Sequence, residues 1–251
     1  MPERGAAQLM NIATYNLRAG GRRSDRVHWR RMIEGFSPDI LLVQETRHPS
    51  HYLEPEFYAA NAHRIHWLAA PNRHWGSAIF VRSGRLKPLT LPVHGGYVVA
   101  AEVKGSDWSI RTGRPLHVVS LHVPAPYKRP MNEILDFIGT LKSTHDLVLG
   151  GDFNLAVGIR HVSEPVPADP PWLLGRLRRE FNLMSCWQAV HPNRDLAQTL
   201  RWARNPTTPY HCDGVFVPAT WYRYLEDCQV ISNPGWDVLS DHNPVVVTLG
   251  E

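Results

Sequence analysis

Before Glu45 the chain changes its hydrophobic period twice. Leu9 to Tyr15 reads as a strand, with Ile12 and the β-favouring Thr14 and Tyr15, and it stops at Asn16. Trp29, Met32, Ile33 and Phe36 then recur at three- and four-residue spacing, which predicts a helix with one apolar face, ended by Ser37-Pro38-Asp39. Ile40 to Val43 is apolar without interruption, as a strand covered on both faces requires, and it runs out at Gln44-Glu45. The chain therefore opens as β-α-β.

The middle reads differently. Gly76 to Val81, Tyr97 to Val103, Trp108 to Ile110 and Leu116 to Leu121 are short strand-like runs separated by Gly, Pro and Ser, a spacing that suggests an antiparallel meander. Pro130 opens a second helix whose apolar stripe is Met131, Ile134, Leu135, Ile138 and Leu141, and the strand Leu147 to Leu149 follows. Val157 to Pro171, rich in polar residues and proline, is expected to be loop. A helix with Leu174, Leu177 and Phe181 on one face comes next, then an irregular stretch from Arg201 to Tyr210. The last strands expected are Val215 to Val217, Tyr222 to Ile231 and Val245 to Leu249, and no internal repeat is visible. This order implies an α/β fold in which two sheets pack face to face with helices outside, built as one domain over residues 1–251.

The apolar runs end in groups able to do chemistry: Asn16, Glu45, His122, Gly150-Gly151-Asp152-Phe153-Asn154, Asp213 and Ser240-Asp241-His242. A strand that passes from hydrophobic residues into a carboxylate, amide or imidazole delivers that group to the rim of a sheet. Together they suit a divalent metal on oxygen ligands, a carboxylate handling a water proton and an imidazole facing a phosphate. The two glycines before Asp152 allow a sharp turn, and Asn154 shares the side of Asp152 if the backbone stays extended. A carboxylate beside His242 raises its pKa and fixes its ring, and Asp213 is the candidate partner. Taken singly, each station also reads as a strand cap, a turn or an Asx-turn.

Composition sharpens the picture in two respects. A hydrophobic fraction of 43% and a charged fraction of 20% are those of an ordinary globular protein, whereas a net charge of +4 and a pI near 9.1 favour an anionic partner. Arg18, Arg22, Arg23, Arg26, Arg30 and Arg31 follow the first station closely, as a phosphate-facing rim or as a solvated helix face. Cys186, Cys212 and Cys228 form no close pair, so a reducing, cytoplasmic setting is expected. No signal peptide is read at the N-terminus, and no apolar stretch approaches the ~20 residues of a membrane span. His48, His51, His63, His66 and His74 match no zinc spacing.

Six segments carry a family likeness: Thr14-Tyr15-Asn16, Gln44-Glu45, Trp75-Gly76-Ser77-Ala78-Ile79, Gly151-Asp152-Phe153-Asn154, Cys212-Asp213-Gly214-Val215-Phe216 and Ser240-Asp241-His242. In that order they resemble the endonuclease/exonuclease/phosphatase superfamily, which contains DNase I, exonuclease III-like repair nucleases, deadenylases, sphingomyelinases and inositol polyphosphate 5-phosphatases. The resemblance implies a four-layered α/β sandwich of two mixed sheets with the site where they meet at one rim. It implies that Glu45 is the main magnesium ligand, manganese being a substitute, with Asn16 and Asp241 nearby. It gives Asp152 the attacking water, Asn154 and His242 the phosphate, Asp213 the orientation of His242, and His122 a place by the scissile group. The chain departs from exonuclease III-type repair enzymes at Arg18, where they usually carry aspartate, and at His122, where they carry tyrosine. Gly214 replaces a common aromatic.

The first expectation for the substrate is a nucleic acid, DNA or RNA, with Arg18 contacting phosphate and Trp75 and Trp202 able to stack on bases. A small phosphorylated molecule or lipid head group on the same site is the alternative, without integral membrane association. A silent binding module that keeps the fold and not the chemistry is the third.

Overall fold

In the computed structural model, which describes residues 9–22, 26–106, 113–141, 144–159, 171–204 and 208–250, two parallel strand pairs form the framework. β1 (Met10–Asn16) and β2 (Ile40–Thr46) are parallel and joined by α1 (His28–Phe36); β7 (Leu116–His122) and β8 (Asp146–Asp152) are parallel and joined by α3 (Lys128–Gly139). Each pair lies at the centre of a six-stranded sheet. β3 (Ile65–Ala69), β4 (Gly76–Val81), β11 (Leu225–Val230) and β12 (Val245–Leu249) complete the first, in the order β11-β12-β1-β2-β4-β3. The second runs β5-β6-β7-β8-β10-β9, with β5 (Arg85–Leu89), β6 (Val98–Lys104), β9 (Leu183–Ser185) and β10 (Asp213–Pro218). All added pairings are antiparallel, so both sheets are mixed.

Period-two alternation fills three layers of core. Ile12, Leu42, Ile79 and Val247 face inward and meet Val99, Val118, Val148 and Val215 of the other sheet. Their neighbours face outward: Ala13, Tyr15, Leu41 and Val43 pack on Trp29 and Met32 of α1 and on Trp236 of α6 (Pro234–Asp237). Val119, Leu121 and Leu149 pack on Met131 and Ile134 of α3 and on Leu173 and Leu177 of α4 (Pro171–Phe181). The sandwich is thus four-layered, as expected.

Several elements differ from the sequence reading. β3, β5, β9, α2 (Pro55–Asn61) and α5 (Cys186–Val190) carry no strong period and were not anticipated. The strand expected over Tyr222 to Ile231 begins only at Leu225, after a 3-10 segment at Ala219–Tyr224. Trp108 to Ile110, and most of Val157 to Pro171, lie outside the described residues. Gly150 and Gly151 make no sharp turn: β8 continues through them to Asp152, paired with Ser120 and Leu121 on one side. Their purpose is close approach, since a Cβ on Gly151 would stand 2.0 Å from the Leu121 carbonyl oxygen and one on Gly150 2.8 Å from Leu42 Cδ1. No helix among the described residues is long and apolar enough to cross a membrane.

Candidate active site

Followed toward one rim, the inward positions of the four central strands change from apolar to small or polar and then to chemically capable. The series are Ile12-Thr14-Asn16, Leu42-Gln44, Val118-Ser120-His122 and Val148-Gly150-Asp152. Beneath the rim Gln44 ties the sheets together, its Nε2 donating to Ser120 Oγ at 3.0 Å and to Thr14 Oγ1 at 3.1 Å. Register then fixes the upper layer: His122 is opposite Asp152, and Asp152 is opposite Asp213.

Glu45 breaks the alternation. In a regular strand it would follow Val43 to the outer face, but β2 shifts register against β4 between Val43 and Thr46, and Glu45 has a left-handed φ of 48°. The bulge turns its carboxylate back to the rim. Arg18, Ala19, Gly20 and Gly21 all have positive φ, from 51° to 97°, and this left-handed turn wraps Glu45. The Ala19 N–H donates to Glu45 Oε2 at 2.8 Å and the Gly20 N–H to the Glu45 carbonyl at 2.7 Å. Non-glycine residues held in this region cost free energy that surrounding structure must offset, and such residues gather at functional sites.

Asn16 joins the two sheets' carboxylates. Its Nδ2 donates to Glu45 Oε1 at 3.2 Å and to Asp152 Oδ2 at 2.9 Å, while its Oδ1 accepts the Arg18 N–H at 2.8 Å. The other Asp152 oxygen accepts the Asn154 N–H at 2.9 Å; Asn154 is in the left-handed region rather than extended, with its amide on the Val123 carbonyl at 3.0 Å. Asp152 thus makes the Asx-type turn and also faces Asn16 across the rim. Burial, and then the charge of Asp213, push the Asp152 carboxyl above its ordinary pKa, with His242 and His122 pulling the other way.

His242 is held by Asp213, whose Oδ2 lies 2.9 Å from Nδ1, and its Nε2 stands 3.9 Å from Asp152 Oδ2. Burial alone would lower its pKa, but the Asp213 and Asp152 carboxylates overcome it and raise the pKa to about 10. Asp213 is braced by Thr199, whose Oγ1 accepts the N–H groups of Cys212 at 2.9 Å and Asp213 at 3.1 Å. The segment bearing Asp241 and His242 is pinned by Ser240 Oγ to the Asn16 carbonyl at 2.8 Å and by Arg201 to the Ser240 carbonyl at 2.7 Å. Nothing in the local sequence around Thr199 or Arg201 marked them for these roles.

His122 Nε2 lies 3.7 Å from Glu45 Oε1 and 3.9 Å from Asp152 Oδ2, with Trp75 and Tyr97 against its ring. Trp75 is 8% exposed and spends its surface on this packing, which leaves little of it free for a base. Trp202, 42% exposed, follows Arg201, whose N–H donates to the Asp241 carbonyl, and packs edge-on against Tyr210. Arg18 Nη1 pairs with Asp241 Oδ2 at 3.0 Å, and Arg22 approaches the same oxygen at 3.8 Å. The arginine run divides: Arg18 and Arg22 stand at the rim, Arg30 pairs with Glu34 on α1, Arg31 lies over Trp236, and Arg23 is outside the described residues.

The donor set fits a hard divalent cation. Among the described residues no lysine or arginine pairs with Glu45, which shares the rim with a second carboxylate, Asp152, and an amide. Asp241 is the exception, engaged by two arginines. A second close group of ligand atoms, Asp152, Cys212, Asp213 and His242, suits a metal less well. His242 Nδ1 is already bonded to Asp213, and burial with the charges of Asp213 and Asp152 holds the Cys212 thiol protonated.

Solved structures of similar shape agree with this architecture. AP endonuclease LMAP from Leishmania major is 15% identical, with a TM-score of 0.67 over 97% of this chain and 88% of that one. An AP endonuclease from Archaeoglobus fulgidus is 18% identical, with 0.65 over 96% and 99%. The 3′ phosphatase NExo from Neisseria, bound to product DNA hairpin, is 19% identical, with 0.68 over 95% and 98%. No curated protein sequence matches. The endonuclease/exonuclease/phosphatase family matches residues 13–242, which include every rim residue described above, and the chain is a phosphoesterase belonging to that family.

Proposed function

We propose that the protein is a magnesium-dependent phosphodiester hydrolase, a nuclease that cuts DNA or RNA by in-line attack of water. One observation carries the reading: Asn16 bridges Glu45 and Asp152 across the two sheets, while Asp213 holds a charged His242 on the far side of Asp152. Glu45 would hold the ion, with Asn16 and Asp241 beside it. A bound magnesium or manganese neutralises charge growing on the phosphate and leaving oxygens. Asp152 orients the water and takes its proton, a task helped by a carboxyl that burial and the Asp213 charge make more basic. His242 and Asn154 hold a non-bridging oxygen, and His122 faces the scissile group. The water oxygen bonds to phosphorus as the opposite P–O bond breaks, leaving a phosphomonoester and an alcohol. Two similar structures are AP endonucleases and a third has a DNA hairpin bound, which favours nucleic acid. Three buried, unpaired cysteines favour a cytoplasmic setting.

Plasmid DNA, single-stranded RNA and a panel of phosphomonoesters, offered with magnesium to the wild type and Asp152→Ala, test the proposal. Nucleic-acid cleavage that the substitution and chelation both abolish is expected. Monoester release without cleavage sinks the nuclease reading and favours the small-molecule one; no turnover on any substrate favours the silent module.

A further inference from the structure

Gly20 and Gly21 of the left-handed turn that wraps Glu45 also line a recess of about 340 Å³ whose charged lining is entirely cationic or imidazole: Arg22, Arg26, Arg47 and His51. Resting on the nuclease reading above, we propose that this recess is a second phosphate subsite, one that takes a terminal phosphomonoester of the nucleic acid next to the bond being cut.

Three observations support it. The recess is built rather than incidental: Gly20 and Gly21 have φ of 97° and 89°, and a Cβ on either would strike Arg47 or the ring of His28 at 2.8 and 2.2 Å. Gly20 lets Arg47 lie across the turn, and Gly21 admits the His28 ring. Tyr52, buried behind it, donates its hydroxyl to the Gly20 carbonyl at 2.8 Å and fixes the back wall. Second, two of the three guanidiniums are uncommitted among the described residues. Among the described residues the side chains of Arg26 and Arg47 pair with no carboxylate, and Arg22 has only the 3.8 Å approach to Asp241. Guanidinium forks left exposed and unpaired in one concavity are suited to bidentate phosphate binding.

Third, the position is adjacent to the chemistry. The same turn supplies the Ala19 N–H to Glu45 Oε2, so an anion in the recess and a phosphate at the rim share one wall. Three guanidiniums and an imidazole match the two charges of a monoester better than the single charge of a diester in mid-chain. The inferred consequence is a preference for substrates cut near a phosphorylated end.

The test compares oligonucleotides with a 5′-phosphate, a 3′-phosphate or hydroxyls at both ends, using wild type, Arg26→Ala, Arg47→Ala and Arg47→Lys. One phosphorylated end is expected to raise kcat/KM by roughly tenfold or more, by the scale of charge-assisted hydrogen bonds. That ratio should fall toward one in both alanine variants and recover in part with lysine. Asp152-dependent cleavage with no preference for either phosphorylated end overturns the subsite and leaves the nuclease reading standing. If no nucleic acid is cut, calorimetric titration of inorganic phosphate decides the subsite alone: binding lost in Arg26→Ala and Arg47→Ala upholds it, and binding absent or unchanged overturns it. Arg26→Ala alters an exposed loop and guards against a folding defect in the Arg47 variants.

Discussion

His242 is charged in a place that resists charge. Burial disfavours the imidazolium, and the carboxylates of Asp213, Asp152 and Asp241 hold the proton on, Asp213 most strongly, so removing Asp213 should weaken that hold. In Asp213→Asn, the His242 imidazole followed by NMR titration should lose its proton well below the wild-type value of about 10, and kcat should fall roughly 10²- to 10⁴-fold. Stability follows with a definite sign. A histidine whose folded pKa lies above its unfolded value of 6.5 stabilises fully below that value and loses the contribution as pH rises through about 10. Unfolding free energy attributable to this pair should therefore decline across that window in the wild type and change little with pH in Asp213→Asn. Asp152 has the opposite consequence: its carboxyl is raised by burial, so ionising it above the usual carboxylate range costs stability. Asp152→Asn should raise the melting temperature near neutral pH while abolishing turnover. A variant that melts lower would show that Asp152 stabilises the fold through its bonds to Asn16 and Asn154 instead.

The strand β8 shows how closely element and site are joined. Asp152 reaches the rim because Gly150 and Gly151 let β8 lie against Leu42 and the Leu121 carbonyl without Cβ atoms between. Gly151→Ala places a methyl 2.0 Å from backbone at a φ of 141°, so it should cost roughly 2–4 kcal/mol in chemical denaturation and pull His122 and Asp152 out of register. Unchanged stability would mean that β7 and β8 can part without loss. The glycine pair was visible in the sequence, but its role as a close-approach device was not, because the strand that comes near, β7, is set by tertiary pairing. β2 and β8 were legible for a physical reason: buried on both faces, they carry the unbroken apolar runs Ile40 to Val43 and Leu147 to Leu149, and the runs stop shortly before the site begins. β3 and β5 escaped because they are edge strands with half-exposed, polar residues such as His66, Arg85 and Lys87 and with Pro88, which removes a ladder donor. The inward turn of Glu45 was likewise unreadable. It depends on a bulge against β4, and nothing in Gln44-Glu45-Thr46 announces a left-handed glutamate.

At the scale of the whole molecule, the two sheets repeat one plan that the sequence conceals. Each has a parallel pair spanned by a helix, an antiparallel strand pair on one flank (β11-β12 or β5-β6) and another on the other (β3-β4 or β9-β10). The first sheet takes one of these pairs from later in the chain, so the repeat is permuted and leaves no fixed sequence period. Packed together, the halves bring Asn16 and Glu45 from one parallel pair to meet His122 and Asp152 from the other. This layout gathers Arg18 and Arg22 beside Asp241 at the shared rim, with Arg26 and Arg47 in the recess next to it. A nucleic acid across the rim engages several of these at once, whereas a small substrate with one phosphate engages the site alone. If about three phosphates are neutralised, log affinity should fall with log salt at a slope of roughly −2 for single strands to −3 for duplex. Binding of a catalytically disabled Asp152→Ala variant to labelled oligonucleotides, measured from low to physiological salt, gives that slope directly. A slope near −1, shared by oligonucleotides and by a simple phosphomonoester, would mean that only one phosphate is recognised, and the small-molecule reading would take the place of the nuclease.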